Sequence, residues 1–172
     1  MKKIRVQRST LLFVGEGDCE VAFLAHIRNL FCSGGHGLKV TLRNAHGKGP
    51  ENVVKYALAL SRSNGFDKKA CLLDTDLPWS IKSVSAAKKG KIHLIGSNPC
   101  LEGLLLSILG EEIGVNSTMC KKTLQNITGA KMTSKENYET IFTKAVLKHA
   151  RLNVKELDVL LCLFEGIEIL AP

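Results

Sequence analysis

The sequence predicts an α/β fold: a Rossmann-like, mostly parallel central sheet of about four strands, helices on both faces, and a helical C-terminal part. Three observations carry this. Short apolar runs within 10–14, 68–74 and 91–97 look like strands buried on both faces. Longer stretches with apolar residues at helical spacing separate them. Beyond about residue 111 the strand signal fades.

Taken in order, "TLLFV" (10–14) is the first strand. A helix over 18–31 follows, with Val21, Leu24, Ile27 and Phe31 on one face and Asp18 as its N-cap. After the glycine-rich "CSGGHG", residues 38–45 form the second strand. The next helix has Pro50 at its start and closes at Asn64-Gly65. Residues 68–74 are the third strand, 81–89 a short helix and 91–97 the fourth strand. "NPCLEGLLLSILG" starts another helix, with Pro99 at its first position and Gly110 past its end. Helices over 135–150 and 154–164 complete the pattern. With no internal repeat or low-complexity linker, the expectation is one domain over 1–172, an α/β core at 10–110 and a helical part at 111–172. Crossovers are expected to be right-handed.

A chain of 172 residues buries a substantial core, and 45% hydrophobic with 23% charged residues is globular composition rather than disorder or coiled coil. Aromatics make up 5%, so nucleic-acid binding would rest on charge more than on stacked bases. The net charge of +8 is concentrated at Lys2, Lys3, Arg5 and Arg8, at Lys82, Lys88, Lys89 and Lys91, and along 121–155. Such a surface attracts polyanions, nucleic acid above all, although solubility is the plainer reading. The six cysteines form no C-x-x-C pair, and Cys71 and Cys162 lie in apolar runs. Reduced thiols, no zinc site and a cytoplasmic location are expected. "TLLFVG" is too short for a signal-peptide core, and no stretch approaches the ~20 apolar residues of a membrane span.

Open α/β sheets bind ligands beyond the carboxyl ends of their strands. Glu16 and Glu20 follow the first strand, Asp74 and Asp76 the third, and Glu102 falls in the first helical turn after the fourth. Residues i and i+2 of an extended segment point to one side, so Asp74 and Asp76 can face one ion. Glu16 and Glu20 would share a helix face if the helix reached back to Glu16, and the glycines flanking Glu16 would allow a sharp turn. Plainer roles compete: Asp18 as a cap alone, Glu20 as a solvated helix residue, Asp76 as a turn residue before Pro78. Carboxylates sharing a pocket repel unless some take up protons or a divalent cation joins them, and hard oxygen ligands select magnesium or manganese. In the basic "HGKG" loop, His46 and Lys48 are candidates to touch phosphate, or form a plain turn. Lys131 and Lys135 are candidate nucleic-acid contacts, or surface charge. His26 and His93 read as core or surface residues.

In their order, "LLFVGEGDCEVAFL", "LLDTD" and "GSNPCLEGLLL" resemble the Toprim fold and, within it, the RloB-like proteins of bacterial phage defence. A Toprim domain carries an acidic residue after its first strand and D-x-D after its third, matched by Glu16 and by Asp74 with Asp76. The RloB-like signature of Ser-Asn-Pro followed by a glutamate on a leucine-rich helix is matched by Ser97, Asn98, Pro99 and Glu102. The resemblance covers about residues 10–110. It implies a magnesium- or manganese-dependent nuclease, with Glu16, Asp74, Asp76 and Glu102 as catalytic residues and Glu16, Glu20, Asp74 and Asp76 around the metal. Nucleic acid is the implied partner, and a partner ATPase or other defence-system protein and a homodimer fit the same setting. Two departures stand out: Gly103 follows Glu102, and that helix lacks the family's tryptophan. The lost tryptophan and the scarcity of aromatics favour the rival reading of a non-enzymatic module that binds nucleic acid or a partner, and retention of all the core acids speaks against it. Phosphotransferases with an aspartyl nucleophile also use an aspartate pair. They place it after the first strand, with Thr or Val where this chain has Pro78.

Overall fold

The computed structural model describes residues 9–32, 37–130, 132–133 and 136–169. Strand β1 (Ser9–Gly15) buries Leu11 and Phe13 on one face and Leu12 and Val14 on the other. Strand β3 (Lys68–Asp74) repeats the pattern, with Ala70 and Leu72 opposed to Cys71 and Leu73. Burial on both faces is why these runs do not alternate. With β2 (Leu38–Asn44) and β4 (His93–Ser97) they form a parallel sheet in the order β2-β1-β3-β4.

Helix α1 (Asp18–Phe31) links β1 to β2, α2 (Gly49–Ser63) links β2 to β3, and α3 (Ile81–Lys89) links β3 to β4. Val53, Val54 and Ala57 of α2 and Ala87 of α3 pack on Leu12, Val14, Cys71 and Leu73. The opposite face is covered by α1, by α4 (Leu101–Leu109) and by the chain's last third, which comprises α5 (Ser117–Thr128), α6 (Glu136–Glu139), α7 (Lys144–Ala150) and α8 (Lys155–Glu165). Phe164 of α8 stacks on Phe13 of β1 with centroids 5.4 Å apart, and Tyr138 and Phe142 lie 5.5 and 6.4 Å from Phe23. The helical part thus completes the core over the sheet. Each such side chain contributes about 1.5–3 kcal/mol by leaving water.

Several boundaries differ from expectation. The N-cap of α1 is Gly17, while Asp18 accepts the Asn44 side-chain amide at 2.6 Å. Helix α4 starts at Leu101, capped by Cys100, so Pro99 precedes it. The Pro99 carbonyl instead accepts the backbone N–H groups of Thr75 and Asp76, at 3.0 and 2.9 Å. Strand β4 begins at His93 because Lys91 adopts a left-handed turn (φ 52°). The single helix expected over 135–150 is broken, because Thr143 leaves the helical conformation to cap α7 through Val146 N–H. Helix α5 has its own punctuation, Asn116 accepting Met119 N–H at 2.9 Å and Gly129 closing it at φ 68°. No helix among the described residues is long and apolar enough to cross a membrane.

Candidate functional site

From β1 the chain winds outward to β2, then returns past β1 to β3 and on to β4. Winding therefore reverses between β1 and β3, and the crevice beyond such a reversal is where open α/β sheets hold ligands. Glu16 follows β1 and Asp74 ends β3. Since Gly15 is in register with Leu72, the two acids leave the sheet side by side.

Asp74 is fixed in orientation. Its Oδ1 accepts the Ser97 hydroxyl at 2.9 Å and the Leu101 backbone N–H at 3.0 Å, while the Trp79 indole donates to its carbonyl at 2.9 Å. Burial, then the charge of Glu20, push its carboxyl up to about 7; the Ser97 bond opposes this, and Glu16 and Asp76 add to it.

Glu16 is half-buried, and its Oε2 is buried without a hydrogen-bond partner among the described residues. Burial raises its pKa, the Asp74 backbone N–H lowers it, Asp76 raises it again and the Gly49 N–H lowers it. Helix α1 begins too late for Glu16 and Glu20 to share a helix face, contrary to expectation. Nor do Gly15 and Gly17 use left-handed backbone. Gly15 matters through what it lacks: a Cβ there would sit 2.8 Å from the Glu20 Cβ, so glycine lets α1 close on β1. Glu20 is buried, and one of its oxygens accepts the Gly17 N–H at 2.8 Å. Burial again raises its pKa most, backbone hydrogen bonds oppose, and Glu102 and Glu16 contribute.

Asp76 is exposed and its carboxylate accepts the Ser117 hydroxyl at 3.2 Å. Glu102, in the first turn of α4, acts on Glu20 and Cys19 and raises the pKa of the Lys121 ammonium on α5. Lys121 also feels Asp74, which makes it a cation of this site. Sequence reading missed Lys121 as a site residue; only its place in a basic stretch marked it.

His46 and Lys48 reach the same rim. They are exposed, and the loop is pinned by Gly47 N–H donating to the Glu16 carbonyl at 2.8 Å. His46, Gly47, Lys48 and Gly49 all have left-handed backbone, at φ 58°, 72°, 70° and 78°. For the two residues with side chains this costs roughly 1–2 kcal/mol each. Lys131 and Lys135 lie outside the described residues. His26 is a core residue, its Nε2 2.7 Å from the Phe142 carbonyl, and His93 is half-buried in β4.

Among the described residues no group of three or more His, Cys, Asp or Glu already converges to hold a metal ion. The donor set nevertheless fits a hard dication. Glu16 offers a buried, unpartnered oxygen, and the carboxylate crowding that raises Asp74 is what a cation relieves.

Fold and site define a doubly wound parallel α/β protein with an acidic cluster at its switch point. The chain matches no family model, and comparison with curated proteins and with solved structures finds no match.

Proposed function

We propose that this protein is a divalent-metal-dependent nuclease that hydrolyses phosphodiester bonds of nucleic acid, either RNA such as tRNA or DNA, in bacterial anti-phage defence. One observation carries the reading: Glu16, with its unpartnered buried oxygen, and Asp74, with its raised carboxyl, stand at neighbouring strand ends. The Toprim and RloB-like resemblance supplies the reaction class and the cytoplasmic setting. A defence ATPase or similar protein and a second copy of the chain are partners within the same proposal.

Glu16, Asp74 and Asp76 hold magnesium or manganese, with Glu20 adding charge behind them. A divalent ion held there would supply Lewis-acid polarisation of the scissile phosphate and a lowered pKa for the attacking water. The alternative role for Glu16, in place of ligation, is to move the proton as general base or acid, for which a pKa raised by burial suits it. Asp74 is held through Oδ1 by Ser97 and Leu101, which leaves its second oxygen outside those two bonds. Glu102 completes the metal shell or orients a water, and its charge raises the pKa of the Lys121 ammonium. His46, Lys48 and the +8 net charge draw in the polyanion.

The test incubates the protein with total tRNA, single-stranded DNA and plasmid, with magnesium, manganese or chelator, beside Asp74→Asn. Cleavage is expected to need the metal and to fall by about 10²-fold or more in the variant. Cleavage unchanged by the substitution refutes the assignment.

A second reading, a nucleic-acid- or partner-binding module without activity, is favoured by the absence of a preformed three-residue ligand group among the described residues. It predicts binding without saturable metal uptake.

A further inference from the structure

Beside the carboxylates, α1, α4, α5 and the segment that follows α5 line a cavity of about 290 Å³ that is open to solvent on one side. Leu124, Ala130 and Met132 make its apolar walls, and Glu102, Lys121 and Gln125 form a polar rim. The Tyr138 hydroxyl donates to the Met132 carbonyl at 2.8 Å and lies 3.3 Å from the Cys19 carbonyl, so opposite sides of the cavity are braced together. Apolar walls with a few convergent polar groups are the usual form of a small-ligand site. We infer that this cavity seats one nucleobase of the substrate strand, so that the strand is single-stranded or has an extruded base where it is cut.

The location of the cut relative to the cavity rests on the nuclease reading; the cavity's affinity for a base does not. Size is the first argument. At about 290 Å³ the space lies at the small end of ligand pockets, suited to one ring system and not to a base pair. A base stacked in a duplex cannot enter such a pocket without leaving its helix. Charge is the second. Glu102 and Lys121 offset one another at the rim, while Glu16, Glu20 and Asp74 lie just beyond, so a bare phosphate is repelled and the neutral base is the part of a nucleotide that fits. Edge chemistry is the third. Lys121 and the Gln125 amide donate, and Glu102 and the Gln125 carbonyl accept, matching the mixed donor and acceptor edge of a base. Met132 offers a thioether to the ring. Cys19 is a passive wall, because burial and the charges of Glu20 and Glu102 push its thiol up to about 11.

The chain has three methionines, of which Met132 lines the cavity and Met119 is exposed on α5. Methyl-¹³C-methionine NMR, with Met132→Leu for assignment, can therefore watch the cavity while adenosine, guanosine, cytidine or uridine is titrated in chelator. Nucleosides carry no phosphate, so neither metal nor cleavage takes part. The Met132 methyl should shift saturably with at least one nucleoside while Met119 stays still. Ala130→Trp, at a half-buried position beyond the C-cap of α5, should weaken that binding by about tenfold or more, the scale of one lost base contact. Exposed Gln125→Ala should change which nucleoside binds best, and Glu16→Gln should leave nucleoside binding intact. No shift with any nucleoside, or shifts untouched by Ala130→Trp, overturns the inference. Saturable nucleoside binding in a protein that cleaves nothing supports the pocket and removes the nuclease reading. Metal-dependent cleavage undiminished in Ala130→Trp keeps the nuclease reading and overturns the cavity's part in placing the cut.

Discussion

The backbone N–H of Leu101 donates to Oδ1 of Asp74 at 3.0 Å, so the last residue of β3 anchors the first turn of α4. The Ser97 hydroxyl shares that oxygen. Asp74 therefore has two separable duties, as an acceptor that joins β3, β4 and α4 and as a negative charge in the crevice.

Asparagine keeps the acceptor and removes the charge, whereas alanine removes both. Asp74→Ala should lose stability by about 1 kcal/mol, the scale of a lost helix cap. Asp74→Asn should keep stability or gain it at neutral pH while abolishing metal-dependent cleavage. Urea denaturation of both variants at pH 8 in chelator checks this.

The raised carboxyl of Asp74 sets a pH dependence for the metal-free protein. Its ordinary value is 3.8 and its folded value about 7, so between those limits the folded state holds a proton that the unfolded state has released. The stabilising contribution is complete below 3.8 and is lost as pH rises through about 7. Wild type should thus lose stability between pH 4 and pH 7 more steeply than Asp74→Asn. Denaturation midpoints across that range, in chelator, measure the difference, and parallel curves would contradict it.

Lys48 stands in left-handed backbone at φ 70°. Glycine adopts that conformation freely, so Lys48→Gly should stabilise the fold by up to about 1 kcal/mol. If Lys48 touches phosphate, the same substitution weakens nucleic-acid binding and lowers its salt dependence by about one charge. Thermal denaturation and a salt-dependent binding titration read the two effects separately.

A Cβ at Gly103 would run into the Asn98 carbonyl oxygen and lie 2.8 Å from the Pro99 ring. Packing between α4 and the turn that precedes it therefore accounts for the glycine after Glu102. Gly103→Ala should cost about 1–3 kcal/mol through overpacking. It should also disturb Asp74, which that turn holds in place. Equilibrium unfolding tests the first effect, and cleavage by the folded fraction tests the second.

The strands were legible because β1 and β3 are buried on both faces and so carry unbroken apolar runs. The bounds of α1, β3 and α3 follow directly from periodicity and from flanking glycines and charges. Strand ends plus the rule that ligands sit there located Glu16, Asp74 and Glu102. What escaped depends on contacts between distant segments. Ser117 meets Asp76 across 41 residues, and Lys121 interacts with Glu102 from α5, a helix that the apolar pattern beyond residue 111 was not read as giving. The break between α6 and α7 was hidden because Ile141 and Phe142 continue the apolar pattern through it. Gly15 was expected to allow a sharp turn, but it serves as a gap into which Glu20 fits, a role set by packing and not by backbone preference.

The most direct measurement is calorimetric titration of magnesium, and of manganese, into wild type, Glu16→Gln and Asp74→Asn at pH 8. Saturable uptake by wild type that is lost in both variants, each still folded, is the predicted result. Absence of saturable uptake, or uptake unaffected by either substitution, would mean that the acids at the ends of β1 and β3 do not hold an ion.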